Sequence, residues 1–487
     1  MIKERLELTK EEMRKLGYQA IDMLVDHHSE LAEKQSSNVP SKKEMELLLS
    51  EQIPLKGCDP RELISFLEKD VFTNVSYTNH PRFFAFVPTP SNYLSALGDL
   101  LASGYTVFNG NWLEGAASAQ IELTTIDWLK DMLGLADAAE GNFVSGGSMA
   151  NLTALVTART KLLGDKFQKG IIYCSDQTHS SLEKAARILG FKKSQYKKIR
   201  SNNNYELDVN HLKKEIEQDK SQDFEPFCVI TNAGATNTGA IDSLDEIAWI
   251  CREHGMWMHV DAAFGGAAIL DDRMKDRFKG IELADSVTLD PHKWFFQPYE
   301  LGTIFIREKG LLKKTFSILP EYLKDADRIG GEYNFFDYGI QLTRDFKALK
   351  LWMSFKVFGL NAFKKAVAHC IDLAEYTEEL LQEMNNWEVV TKAKIGVINF
   401  RFRPDGTLEE EASKLNQAIV DLMLEDGYAM ITTTELKGMK VLRMCIINPR
   451  TTKKDIETTL KKLGWFGFES IRKIRLEKGN SNSYQTY

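Results

Sequence analysis

The chain has 487 residues, 43% of them hydrophobic and 27% charged, enough apolar material for two or three domains with a large core. Its 62 basic and 69 acidic residues leave a net charge of −7, which argues against a nucleic-acid partner. Six cysteines are scattered without a CxxC pair or a close histidine cluster; they read as reduced thiols of a cytoplasmic protein, and no metal site is expected.

Residues 1–35 read as a charged, amphipathic helix, with Leu16, Ala20, Met23, Leu24 and His27 at helical spacing. It lacks the apolar segment of a secretory signal, and no run in the chain is long enough for a membrane span. Ser36 to Pro40 breaks it, and two shorter helices are predicted at about 42–52 and 61–71. Such an arm has no core of its own and is expected to dock on another domain or subunit. His80 to Pro90 is dense in aromatics and bracketed by prolines. It reads either as a buried strand with rigid turns or as the wall of a pocket for a flat substrate.

Asn109 to Glu114 is a loop before a helix at 115–133. Asn142 to Val144 leads into Ser145-Gly146-Gly147-Ser148-Met149-Ala150-Asn151 and a helix to about Leu163. A glycine-rich turn opening a helix offers amide N–H groups to an anion. The same residues also fit an ordinary helix entry, or a G-x-S-x-G nucleophile turn with Ser148 as nucleophile and Ala150 replacing the last glycine. Ile171 to Cys174 is a strand, followed by Asp176-Gln177-Thr178-His179-Ser180-Ser181 and a helix. His179 is either structural or a flat hydrogen-bonding partner for a ligand. Pro226 to Thr231 is a strand ending in the loop Asn232 to Gly239.

Trp257 to Asp261 reads as a buried strand ending in a carboxylate. Asp261 alone suits a turn or helix cap. Ser286 to Leu289 is another strand, and the turn after it presents His292 and Lys293 before Trp294-Phe295-Phe296. Apolar neighbours are expected to push the Lys293 amine toward its neutral, nucleophilic form, as a Schiff-base lysine requires. A strand-end Asp paired with such a lysine suits pyridoxal phosphate, whose ring nitrogen a carboxylate keeps protonated. Strand and helix alternate from about 140 to 306, which predicts a mainly parallel sheet with helices on both faces. Every candidate residue in this span falls at a strand end, where open α/β sheets bind ligands.

Residues 318–339 read as a long charged loop, either a surface excursion or an active-site lid carrying Tyr322. A helical pattern over about 346–384 is interrupted at Gly359. Strands at 388–390, 395–402, 429–434 and 440–446, a helix at 408–425 and a last helix from about 453 suggest a smaller α+β domain. The polar tail 477–487 is expected to be disordered.

The stretches HVDAAFGG (259–266) and ADSVTLDPHKW (284–294), from a match running from about Asn79 past Trp352, resemble the pyridoxal-phosphate-dependent group II amino-acid decarboxylases. Among them the chain is most similar to aromatic L-amino-acid decarboxylases. The resemblance implies the fold type I, PLP-dependent transferase-like architecture: a helical arm (1–92), a seven-stranded-type α/β cofactor domain (93–350) and a small α+β domain (351–487). It implies a homodimer with a shared active site and the arm packed across it. Lys293 then carries pyridoxal phosphate, Asp261 pairs with its ring nitrogen, and His179 stacks on the ring beside the substrate carboxylate. Gly147, Ser148 and Asp290 hold the phosphate end, with Thr236, Ala263 and His292 completing the cofactor site. Phe86, Pro88 and Thr89 line the substrate pocket, with Phe108 and Trp112 expected to join it from the partner subunit, and Tyr322 protonates the product carbon. The animal enzymes carry Trp where this chain has Thr78 and Tyr at Phe86, departures that bear on pocket size and polarity.

Aminotransferases share the Lys and Asp pair, so the decarboxylase reading rests on PHKW and on DQTHSS (176–181). The implied reaction converts Phe, Tyr, Trp or DOPA to an arylalkylamine and carbon dioxide. The alternatives are a carboxy-lyase for another amino acid, an aldehyde synthase, a serine hydrolase built on Ser148 and a non-catalytic cofactor-binding protein. A glutamate-type substrate would need a cation, and Arg82 is the only one in the aromatic stretch.

Overall fold

A computed structural model describes residues 6–318 and 332–482, and for 474–482 the backbone alone. Seven strands form one sheet: β1 (Glu140–Val144), β2 (Gly170–Ser175), β3 (Tyr196–Ile199), β4 (Glu225–Asn232), β5 (Trp257–Asp261), β6 (Ser286–Leu289) and β7 (Gly302–Ile306), in the order β1-β7-β6-β5-β4-β2-β3. The pairs from β6 through β5, β4 and β2 to β3 are parallel, as predicted. β7 runs antiparallel to both β6 and β1. The β6–β7 connection holds only the four-residue helix Pro291–Trp294, which turns the chain back instead of crossing over.

These strands read as apolar runs because both sheet faces are covered. Alternate residues enter different clusters: Ile171, Tyr173 and Phe305 join one, while Ile172, Cys174, Ile304 and Ile306 join the other. Sheet register brings Asn232, Asp261 and Thr288 level at the carboxyl ends of β4, β5 and β6. The site residues follow from that alignment.

The chain forms two compact units, each discontinuous in sequence. The larger, Phe86–Asp405 with Arg443–Pro449, holds the seven-stranded sheet. It also contains the helix Ala348–Glu383, broken at Gly359 (φ 71°) as expected, and the antiparallel pair β8 (Trp387–Lys394) and β9 (Val397–Phe402). The smaller comprises Met1–Ala85, Gly406–Leu442 and Arg450–Tyr487. Its first helix, Lys10–Glu30, starts in a capping box between Thr9 and Glu12. The helices Lys42–Leu49, Pro60–Phe66 and Glu409–Asp426 and the strand β10 (Thr432–Leu436) follow. A further strand, β11 (Met439–Cys445), leads the chain into the larger unit.

The last helix spans Lys453–Asn482 and so runs into the tail expected to be disordered. Its Arg, Leu, Glu and Lys residues are good helix formers. The expected lid, including Tyr322, lies largely outside the described residues. Among these, no helix is long and apolar enough to cross a membrane.

Candidate active site

The carboxyl ends of the parallel strands surround a cavity of about 320 Å³. All nine residues expected to hold the cofactor line it. Gly147 and Ser148 come from the helix Gly147–Leu162, His179 from the turn after β2, and Thr236 from the loop after β4. Asp261 and Ala263 end β5, while Asp290, His292 and Lys293 follow β6.

Lys293 Nζ lies 2.9 Å from Asp290 Oδ2. Burial opposes its charge, but the Asp290 and Asp261 carboxylates outweigh burial and raise its pKa above the ordinary amine value. This corrects the expectation of a neutral lysine: neighbouring apolar side chains desolvate the amine, yet two acidic groups hold the proton on it.

Asp261 is fixed by two donors. Asn151 Nδ2 donates to one oxygen at 3.1 Å, and the Ala263 amide donates to the other at 3.1 Å. His179 caps the helix Ser180–Ile188, where its Nδ1 accepts from the Ser181 amide at 3.3 Å. That bond leaves the ring proton on Nε2. Burial lowers the His179 pKa, so the ring is neutral at pH 7. His292 is also lowered by burial, and its Nδ1 accepts from the Leu301 amide at 3.2 Å. Neither imidazole is bonded to Ser148, so no histidine is placed as the base for a serine nucleophile.

The cavity fits pyridoxal phosphate on its own features. A Cβ at Gly147 would sit 2.8 Å from Asp290 Oδ2 and 3.2 Å from the Ala263 side chain, so only glycine leaves this end open. The amides of Met149 and Ala150 already donate to the Gly146 carbonyl; those of Gly147 and Ser148 stand at the open helix end, suited to a phosphate. Asp290 Oδ1 is buried without a partner among the described residues. A carboxylate for the ring nitrogen, an amine for the aldehyde and a flat imidazole complete the donor set.

Phe86, Pro88, Thr89 and Phe108, the expected substrate wall, are not among the residues that line this cavity in the single chain. Pro88 and Thr89 are buried, Phe108 is half-buried, and Phe86 is 61% exposed with a left-handed backbone, φ 48°. Arg443, which the motifs did not reveal, is buried and donates to the carbonyls of both Phe86 and Thr236. Arg82 is consumed within its own unit, donating to the carbonyls of Ala32, Lys34 and Tyr428 and meeting Asp455 at 3.4 Å. Asn151 also went unassigned; only its position one helical turn beyond Gly147, facing the same strand ends, could have marked it.

The pyridoxal-dependent decarboxylase conserved domain matches residues 43–403. An aromatic-L-amino-acid decarboxylase of Bacillus atrophaeus is 47% identical over 462 residues, 94% of this chain and 96% of that protein. A phenylacetaldehyde synthase of Arabidopsis thaliana is 27% identical, with coverage of 93% and 95%. Among solved structures, Oryza sativa TDC with PLP and tryptamine superposes with a TM-score of 0.91 at 24% identity, over 96% of this chain and 99% of that one. That superposition shows the shared fold, the type I architecture of pyridoxal phosphate enzymes. The chain belongs to the pyridoxal-phosphate-dependent amino-acid decarboxylase family.

Proposed function

We propose that this protein decarboxylates aromatic L-amino acids to arylalkylamines and carbon dioxide. The observation that carries the reading is the convergence of Lys293, Asp261 and His179 on one cavity at the strand ends. When bound, pyridoxal phosphate supplies the sink for the electrons of the broken bond to the carboxylate. Asp261, held by Asn151 and Ala263, would keep a positive charge at the ring nitrogen. His179 would lie against the ring, with its Nε2–H free to donate to the substrate carboxylate. Lys293 would hold the cofactor through its aldehyde in place of the contact with Asp290, and the amides of Gly147 and Ser148 would hold the phosphate end. Tyr322 delivers the proton that ends the reaction at Cα.

The aromatic preference is supported by Phe86, Pro88, Thr89 and Phe108 and by the identity to the Bacillus enzyme. A glutamate-type substrate is disfavoured because Arg82 already satisfies four partners. We also infer a homodimer in which a partner completes the pocket. Leu47, Ile53 and Leu55 of the arm are exposed, the usual mark of an interface. The functional division proposed is arm 1–92, cofactor domain 93–350 and small domain 351–487. A cytoplasmic setting agrees with the free thiols of all six cysteines.

The test is amine release from Phe, Tyr, Trp, DOPA and glutamate with added pyridoxal phosphate. Turnover of at least one aromatic substrate well above glutamate is expected. Efficient turnover of glutamate with none of the aromatic amino acids contradicts the reading.

A further inference from the structure

Behind the cavity floor lies a hydrogen-bond chain not used above. Trp257 Nε1 donates to Ser286 Oγ at 2.8 Å, and Ser286 Oγ meets His259 Nδ1 at 2.8 Å. His259 Nε2 meets Asn151 Oδ1 at 3.0 Å, and Thr288 Oγ1 donates to the same oxygen at 2.8 Å. Asn151 Nδ2 then donates to Asp261 Oδ2 at 3.1 Å and to Ser181 Oγ at 3.0 Å.

The ends of this chain fix its direction. An indole N–H only donates and an ionised carboxylate only accepts. Ser286 therefore accepts from Trp257 and turns its own proton to His259 Nδ1. His259 carries its ring proton on Nε2 and donates to Asn151, whose amide nitrogen must face Asp261. Ser286, His259, Thr288 and Asn151 are all essentially inaccessible to solvent. Burial also draws the His259 pKa down to about 4, so the ring is neutral at pH 7. Strand alternation places His259 and Asp261 on one face of β5, and register sets Ser286 beside His259 and Thr288 beside Asp261. Buried polar groups are costly unless every link is satisfied, and here every link except the branch from Asn151 to Ser181 leads toward Asp261.

We propose that Asn151 and His259 are positioning residues for Asp261, holding its carboxylate in one orientation against the ring nitrogen of the bound cofactor. The proposal rests on the role of Asp261 given above. His259 stands behind the cavity and Asn151 at its lining, and both act through the bond from Asn151 to Asp261.

The test compares full-length variants loaded with pyridoxal phosphate. Asn151→Ala is expected to raise the dissociation constant for pyridoxal phosphate about tenfold and to lower kcat by about tenfold or more, the scale of a lost hydrogen bond to a charged group. The KM for the best aromatic substrate stays within about twofold, since uniform binding is untouched. His259→Leu moves both quantities the same way. His259→Gln, whose side-chain amide can donate to Asn151, keeps them within about threefold of the parent. A packing role alone predicts that Leu is tolerated better than Gln in these surroundings. Parental cofactor affinity and kcat in Asn151→Ala, or equal losses in both His259 variants, overturn the proposal. Should Asn151→Ala fail to fold, the His259 pair decides. Asp261→Asn separates the two readings. Near-normal turnover there removes the role of Asp261 itself, whereas loss there beside an unaffected Asn151→Ala removes only the positioning chain.

Discussion

Asp261 and Phe86 belong to the same compact unit and differ in what holds them. Asp261 ends a central strand, is buried, and has both oxygens occupied by donors from Asn151 and Ala263. Phe86 lies outside any strand, with its ring exposed, its backbone left-handed and its carbonyl held by Arg443. A non-glycine residue in that conformation costs on the order of 1 kcal/mol and persists only where its surroundings enforce it. The comparison separates two tasks. In the function proposed above, the floor, fixed by sheet register, would set the chemistry, and the wall, on irregular segments, would set which side chain is accepted. Damage to the floor should therefore lower kcat, and damage to the wall should change KM or the product.

The largest effect is expected from Asp261→Asn, which keeps the shape and removes the charge. Decarboxylation should fall by several powers of ten at about 1.4 kcal/mol each, with pyridoxal phosphate still bound. Single-turnover release of carbon dioxide from saturated enzyme measures it, and near-normal turnover breaks the distinction.

The floor should also show itself in acid. The folded pKa of His259, about 4, lies below the ordinary 6.5, so in that window the unfolded chain binds a proton that the folded one refuses. Stability therefore falls as pH drops from about 6.5 to 4, by about 3 kcal/mol from this residue. Urea titrations at pH 7 and pH 4 should show that contribution in the parent and not in His259→Gln.

Tyr322→Phe tests the product side. Carbon dioxide release continues, but slow protonation lets molecular oxygen take the electron pair. The resulting imine hydrolyses to aldehyde and ammonia, and oxygen leaves as hydrogen peroxide. The amine-to-aldehyde ratio should fall by about tenfold or more, at 1.4 kcal/mol per power of ten in competing barriers. Amine as the sole product of an active variant contradicts the assignment.

Phe86→Ala should raise KM for aromatic substrates by about tenfold, the scale of a lost aromatic contact, while cofactor affinity stays at the parental value. A fall in cofactor affinity instead would join Phe86 to the floor. The smallest change is expected from Thr89→Val. Its buried Oγ1 has no hydrogen-bond partner among the described residues, so a methyl in its place should leave stability equal or higher by up to about 1 kcal/mol. KM should rise by about threefold if the hydroxyl faces substrate as proposed. A clear loss of stability would show that the hydroxyl serves the fold.

The floor was legible because strands announce themselves by apolar runs and ligands gather at their carboxyl ends. Asp261, His179 and Lys293 could all be placed by that rule. The charge state of Lys293 is harder to read: apolar neighbours announce burial, but the proton is held by Asp290, the N-cap of the same short helix, and by Asp261 from another strand. Asn151 lies 110 residues from Asp261, and its role depends on how one helix rotates against β5, which no local pattern records. Arg443 reaches Phe86 from 357 residues away. The reversal of β7 depends on a short connection whose path an apolar run does not reveal. The wall is harder to read because prolines and aromatics mark a buried bend and a substrate surface alike.

The central claim is that Lys293 carries the cofactor of this decarboxylase. Borohydride reduction of protein loaded with pyridoxal phosphate, followed by proteolysis and mass-spectrometric peptide mapping, tests it most directly. The cofactor should be found on Lys293, within the segment from Ser286 to Trp294, and no protein-linked cofactor should be trapped in Lys293→Ala, which should not turn over. Cofactor trapped on a different lysine, with Lys293→Ala still releasing amine, would contradict the account.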